Sequence, residues 1–189
     1  MKATFALLAD HPTHNFVRKL AWQLHQMYGT GLRASWLPPH ISLKQPFAID
    51  DLAALEAYFD QFATALSSFS ATLPNVHVIS APAASHITGI VWLNVEETPL
   101  LRNLHMRLNA DLAAQFGNTA APFDGADYHF HMTLAISNHP TQAYTEIQAT
   151  YENMDVNVQY TVRELAMFVY DALSSEIEYM TYKIIQFKE

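Results

Sequence analysis

Two short motifs of one form, His40-Ile41-Ser42-Leu43 and His131-Met132-Thr133-Leu134, occupy matching places in the two halves of this chain. Each half reads as strand, helix, motif strand, helix, strand. The opening strands fall near residues 5 and 90 and the motif histidines at 40 and 131, so the offset stays at about 85 to 91 residues. The pattern repeats while the residues do not. Such a chain is expected to form two α+β lobes related by a pseudo-two-fold axis, which brings equivalent strands together across a central cleft. The expected fold class is therefore α+β, with two pseudo-symmetric lobes, each an antiparallel-rich sheet flanked by helices. A single bilobal domain over 1–189 is expected, with lobes near 1–80 and 86–165 and C-terminal strands completing the sheets.

The elements follow from periodicity and punctuation. Thr4–Leu8 is a short apolar run and predicts a buried strand. Phe16, Val17, Leu20, Leu24 and Met27 recur at helical spacing between Asn15 and Tyr28, and Gly29 and Gly31 end that helix. The first motif strand is expected over His40–Phe47. Asp50 or Asp51 caps a helix with the stripe Leu52, Leu55, Phe59, Phe62 and Leu66. Two strand pieces follow, near 71–73 and 76–79. In the second half, 87–95 is a β-branched run. Thr98-Pro99 starts a helix whose stripe is Leu101, Leu104, Leu108, Leu112 and Phe116. A loop over 118–127 leads into the second motif strand, expected over 128–136. A helix near 141–151 and strands near 156–162, 165–170 and 177–187 finish the chain.

Alternation along a strand puts His40, Ser42 and Lys44 on one face and Ile41 and Leu43 on the other. Likewise His129, His131 and Thr133 oppose Phe130, Met132 and Leu134. The apolar faces suit packing under helices. The polar faces would cost about 1–3 kcal/mol per unpartnered group if buried, so a wet groove is the natural place for them. Two imidazoles with an ordinary pKa of about 6.5 can act as one base and one acid near neutrality. The hydroxyls of Ser42 and Thr133 can hold non-bridging phosphate oxygens. Lys44 can offset phosphate charge, and His129 can touch substrate. This chemistry needs no metal and no cofactor.

Composition narrows the partners. Eighteen acidic residues against ten Lys and Arg give a net charge of −8. Long duplex nucleic acid and anionic membrane surfaces both demand many cations, so neither is expected as a partner. A small nucleotide or an RNA-end phosphate needs only one or two polar contacts. There is no cysteine, so thiol nucleophiles and Cys-ligated zinc are excluded. The N-terminal run ends at Asp10 and is too short for a signal peptide or a membrane span, which points to a cytoplasmic protein.

Pro39-His40-Ile41-Ser42-Leu43-Lys44-Gln45-Pro46-Phe47 and His129-Phe130-His131-Met132-Thr133-Leu134-Ala135 resemble the two motifs of the two-histidine phosphoesterase superfamily. That superfamily includes bacterial 2′-5′ RNA ligase-like proteins and cyclic phosphodiesterases, and the order of elements resembles it over nearly the whole chain. The resemblance implies metal-independent opening or hydrolysis of a 2′,3′-cyclic or related phosphodiester, or action on a 2′-5′ linkage. It implies His40, Ser42, His131 and Thr133 as the catalytic set. Two other readings share the same residues. One is a module of this fold that binds a nucleotide without turning it over. The other is a metal-dependent hydrolase in which His129 and His131 recruit Asp127 or His139. Trp36, Phe47, Phe123, Tyr128 and Tyr170 are candidate base-stacking aromatics.

Overall fold

The computed structural model describes residues 1–80, 88–137, 141–170 and 179–188. The 81–86 loop, with His86, lies outside them, as do His139 and the beginnings of the strands expected from 87 and 177.

The chain opens with strand β1, Lys2–Leu8, and helix α1, His11–Tyr28. The helix starts earlier than its apolar stripe predicts because Asp10 caps it. The Asp10 carboxylate accepts from the Thr13 amide at 3.0 Å, and Pro12 sits in the first turn, where no amide is needed. Gly29, at φ 68°, closes it in the left-handed conformation. A 3₁₀ turn over Arg33–Trp36 leads to β2, His40–Ser42, and β3, Phe47–Ala48. Helix α2, Leu52–Thr64, is capped by Asp51 rather than Asp50. Then come β4, Phe69–Ser80, β5, Gly89–Asn94, and helix α3, Pro99–Phe116, capped by Thr98. Strand β6, His131–Ser137, helix α4, Thr141–Tyr151, and strands β7, Asp155–Val162, β8, Glu164–Tyr170, and β9, Tyr179–Gln186, complete the order.

Two antiparallel sheets result, ordered β2-β1-β8-β9 (with β3 also on β1) and β6-β5-β4-β7. The α+β, two-lobed architecture expected from the repeat is therefore present. In each sheet the motif strand lies at an edge, beside the opening strand of its own half. The lobes, however, are not consecutive segments. β4 belongs to the second sheet, pairing with β5 and β7, while β8 and β9 extend the first. A lobe boundary near residue 80 therefore does not separate the sheets: the chain crosses between them before β4 and again before β8.

Two motif-strand boundaries also differ from expectation. β2 stops at Ser42, not Phe47. Beyond it the Leu43 amide donates to the Phe5 carbonyl and the Thr4 hydroxyl to the Lys44 carbonyl, and Pro46 has no amide to offer a ladder. In the second motif, Tyr128–Phe130 is irregular and the strand begins at His131 itself. The two pieces expected around Pro74 are one long strand with a register shift between Leu73 and Asn75, which is how a sheet accommodates a proline.

One main core joins the lobes. It takes Phe5 and Leu7 from β1, Leu20 and Leu24 from α1, Phe59 from α2, Leu108 from α3, and Met132 and Leu134 from β6. Each large apolar side chain withdrawn from water there contributes about 1.5–3 kcal/mol. The other face of the first sheet carries a smaller cluster, Ala6, Leu8, Ala166 and Phe168. That face is the floor of the cleft.

Candidate active site

Register brings the first motif onto the cleft floor. His40 pairs with Leu8 and Ser42 with Ala6, while Ala6 pairs with Ala166 on the next strand. The two alanines leave depth beside the Ser42 hydroxyl. Ile41 and Leu43 point into the core and are fully buried. On the second sheet His131 pairs with Asn94 and Thr133 with Trp92, while Phe130, Met132 and Leu134 are buried beneath. The alternation read from the sequence holds across both motif cores.

His40, Ser42, His131 and Thr133 all line one groove of about 750 Å³, between the edge strands of the two sheets. The two histidines are held by one device. His40 Nδ1 lies 2.8 Å from the Pro38 carbonyl, and His131 Nδ1 lies 2.9 Å from the His129 carbonyl. A carbonyl only accepts, so Nδ1 carries the proton in each ring and Nε2 is the nitrogen left for chemistry. Each ring also rests on an aromatic. Phe168 meets His40 edge-on at 4.8 Å between centroids, and the Trp92 indole lies under His131 at 4.8 Å and 32°.

Burial pushes both histidines down. His40 falls to about 4, mainly by desolvation. The Pro38 hydrogen bond opposes that shift, and the positive form of His131 adds to it. His131 is lowered by desolvation first, against the pull of the His129 carbonyl, with His129 itself adding a smaller lowering. The charge of His131 is felt at His40, as expected of two rings that line one groove.

Lys44 does not face the groove, contrary to the sequence expectation. β2 has already ended, alternation no longer applies, and the ammonium turns inward. It is fully buried and paired with Asp124, whose carboxylate also accepts from the amides of Gln45 and Ala121, each at 3.2 Å. His129 is exposed beside the second motif. Its Nε2 lies 2.9 Å from Asn94 Oδ1, which also accepts from Trp92 Nε1 at 2.9 Å. The Asn94 amide nitrogen donates to Asn75 Oδ1, which fixes the amide orientation. His129 Nε2 is therefore the donor, and Nδ1 is its open nitrogen. His129 and His131 stack with centroids 6.2 Å apart.

Of the five candidate stacking aromatics, Trp36 lines the groove and is 63% exposed. Phe47, Tyr128 and Tyr170 are buried, and Phe123 is on the surface. Gln45, in the flank of the first motif, also lines the groove, and three further groove residues gave no sequence signal of function: Arg18 on α1, Phe168 and Tyr179. Their roles depend on pairing between distant segments. Among the described residues, no group of three or more His, Asp or Glu is placed to hold a metal ion. No helix there is long and apolar enough to cross a membrane.

Fold and site together define a two-lobed α+β protein with a histidine and a hydroxyl from each lobe lining one groove. The chain belongs to the 2′-5′ RNA ligase superfamily, whose family model matches residues 10–173. A protein of Geobacillus sp. (strain WCH70) that carries a provisional phosphoesterase name is 26% identical over 137 residues. That match takes in 67% of this chain and 66% of the relative, just under two thirds of its length. Among solved structures, Escherichia coli LigT complexed with NADP+ superposes with a TM-score of 0.62 at 17% identity, covering 100% of this chain and 98% of that one. LigT complexed with 3′-AMP gives 0.62 at 16%, with the same coverage. A structure described as a phosphoesterase gives 0.65 at 16%, again over 100% and 98%. At these identities the structural likeness concerns the fold.

Proposed function

We propose that this protein is a metal-independent phosphoesterase that opens or hydrolyses a cyclic phosphodiester by two-histidine acid/base catalysis. The observation that carries the reading is the matched pair of histidines. Each has Nδ1–H tied to the carbonyl two residues before it, and each keeps Nε2 for the groove that Ser42 and Thr133 also line. One imidazole takes the proton of the attacking water as its oxygen bonds to phosphorus. The other gives its proton to the departing ribose oxygen as the P–O bond breaks. The hydroxyls of Ser42 and Thr133 donate to the non-bridging oxygens and hold phosphorus between the rings.

The substrate proposed is small: a nucleoside 2′,3′-cyclic phosphate, a related cyclic ester, or the 2′-5′ linkage at an RNA end. Its place of action would be the processing of RNA ends. Three things support this choice. The family is named for 2′-5′ RNA ligation, LigT was crystallised with 3′-AMP and NADP+, and the chain is acidic. With Lys44 committed to Asp124, the anion is met by the Ser42 and Thr133 hydroxyls and by whichever imidazole is protonated, in a groove that Arg18 and Arg33 also line. His129, stacked beside His131 with Nδ1 open, contacts the part of the substrate beyond the phosphate. Both lobes act as one catalytic domain.

Purified protein should hydrolyse a nucleoside 2′,3′-cyclic phosphate in EDTA, and His40→Ala and His131→Ala should each lower kcat by about 10²–10⁴-fold. Wild-type turnover by either variant on a confirmed substrate would refute the mechanism. Recovery of intact ligand after long incubation with wild-type protein would make the groove a binding site only.

A further inference from the structure

Arg18 lies on α1, outside both motifs, yet its guanidinium grips the segment that carries His40. Nη1 donates to the Ser35 carbonyl, Nη2 to the Leu37 carbonyl at 2.9 Å, and Nε to His14 Nε2 at 3.2 Å. All three nitrogens of the fork are engaged. One residue past Leu37, the Pro38 carbonyl accepts the Nδ1–H of His40. Pro38 and Pro39 each have φ fixed near −65°, so a displacement at Leu37 passes on to that carbonyl with little local absorption. The 3₁₀ turn Arg33–Trp36 also packs against β6, the motif strand of the other lobe, and Arg18 itself lines the groove.

We propose that Arg18 is a positioning residue: its planar fork sets the Pro38 carbonyl, which fixes the ring orientation and tautomer of His40, and it seats the 3₁₀ turn against β6, the motif strand of the other lobe. The proposal rests on the two-histidine reading for its kinetic consequence, but not for its structural one. A lysine offers a single point charge and cannot span two carbonyls and an imidazole at once. His14 Nε2 must be unprotonated to accept from Arg18. Burial and the neighbouring Arg18 charge, with a smaller contribution from His11, lower the pKa of His14 and so favour that form.

The test compares Arg18→Met and Arg18→Lys with wild type. Turnover of a nucleoside 2′,3′-cyclic phosphate is measured together with the ¹⁵N NMR signals of the His40 ring. Both variants should lose up to about 10²-fold in kcat, the scale expected when a catalytic group moves by about 1 Å, with KM little changed. The His40 ring, held as the Nδ1–H tautomer in wild type, should show the Nε2–H tautomer in the variants. Guanidinium ion added to Arg18→Ala should restore part of kcat. Wild-type kcat in either variant, or a kcat loss with the His40 ring signals unchanged, overturns the proposal. If Arg18→Met does not fold, Arg18→Lys, which keeps the charge and most of the length, decides. If wild-type protein turns over no cyclic phosphodiester, the functional reading fails while the NMR comparison still decides what Arg18 does to His40.

Discussion

The Tyr128 hydroxyl donates to the backbone carbonyl of Ser42 at 3.1 Å. Tyr128 precedes the second motif and Ser42 is the hydroxyl residue of the first, so one hydrogen bond ties the two halves of the site across the lobe boundary. The ring is held by a stack on His105, at 4.2 Å and 19°, and His105 Nδ1 bonds in turn to the Leu43 carbonyl at 2.8 Å. Tyr128→Phe keeps the stack and removes the tie. A net loss of about 1 kcal/mol is expected, which lowers Tm by about 2–4 °C for a chain of this size. Because the tie shares in setting the spacing of the motifs with the His105–Leu43 and Lys44–Asp124 contacts, kcat should fall modestly and more than KM rises. Steady-state kinetics alongside a thermal melt checks both, and an unchanged kcat would show that the spacing is set elsewhere.

Lys44 and Asp124 should prove unequal when removed. Asp124→Ala leaves a buried ammonium with no counter-charge, and breaking a buried pair in that direction costs about 3–5 kcal/mol. Lys44→Met leaves a carboxylate that keeps two amide donors and is 11% exposed at its side chain, so the loss should be smaller. Denaturant melts of the two variants give the order. In the fraction of Lys44→Met that folds, KM should match wild type, because the ammonium does not reach the groove. A several-fold rise in KM without loss of stability would return Lys44 to the substrate.

These cases mark what was legible in the sequence. The helices and the inward and outward faces of the motif cores came from local periodicity, which survives packing, and the Thr98 cap from its place before Pro99, while the cap of α2 was narrowed only to Asp50 or Asp51. The meeting of His40 and His131 followed from the repeat. Lys44 was misread because strand alternation was carried two residues past the end of β2. What ended the strand was Pro46 and bonds to Thr4 and Phe5, and what received the lysine was an aspartate 80 residues away. The C-terminal strands were expected to complete the sheets, but the membership of β4 in the second sheet, and of β8 and β9 in the first, was illegible for the same reason: antiparallel pairing is a relation between distant segments, and an apolar strand looks alike in either sheet. Arg18 gave no sign, since its three acceptors are two carbonyls and one imidazole, all without a motif.

The Trp92 indole beneath His131 should favour the protonated ring. A cation over a tryptophan face is stabilised by about 0.5–1 kcal/mol, or roughly half a pH unit. Trp92→Leu keeps an apolar neighbour and removes the π face, so the His131 titration, followed by NMR of the ring protons, should move down by about that amount. It also frees Asn94 Oδ1 from one of its two donors. A titration that stays in place or moves up would mean that solvation, not the indole, governs His131.

The pH dependence of turnover follows from the same environment. The reaction needs one imidazole neutral and one protonated. Burial lowers both, His40 to about 4 and His131 below its ordinary value, so in the free protein near pH 7 both rings are mostly neutral and the acid is scarce. As pH falls, the proton the reaction needs is gained, until His40 and His131 are both charged and the base is lost. The profile of kcat/KM, which reports the free enzyme, should therefore be a bell whose maximum lies on the acid side of 6.5. Binding the phosphodiester puts a negative charge between the rings, which favours their protonated forms. The profile of kcat should then peak at higher pH than that of kcat/KM. Both are read from one set of steady-state measurements across pH 4 to 8, a range of about four units chosen to span the ordinary histidine value. A kcat/KM that rises steadily from pH 5 to 8 would mean that neither histidine must be protonated, and the acid role would have to pass to another group.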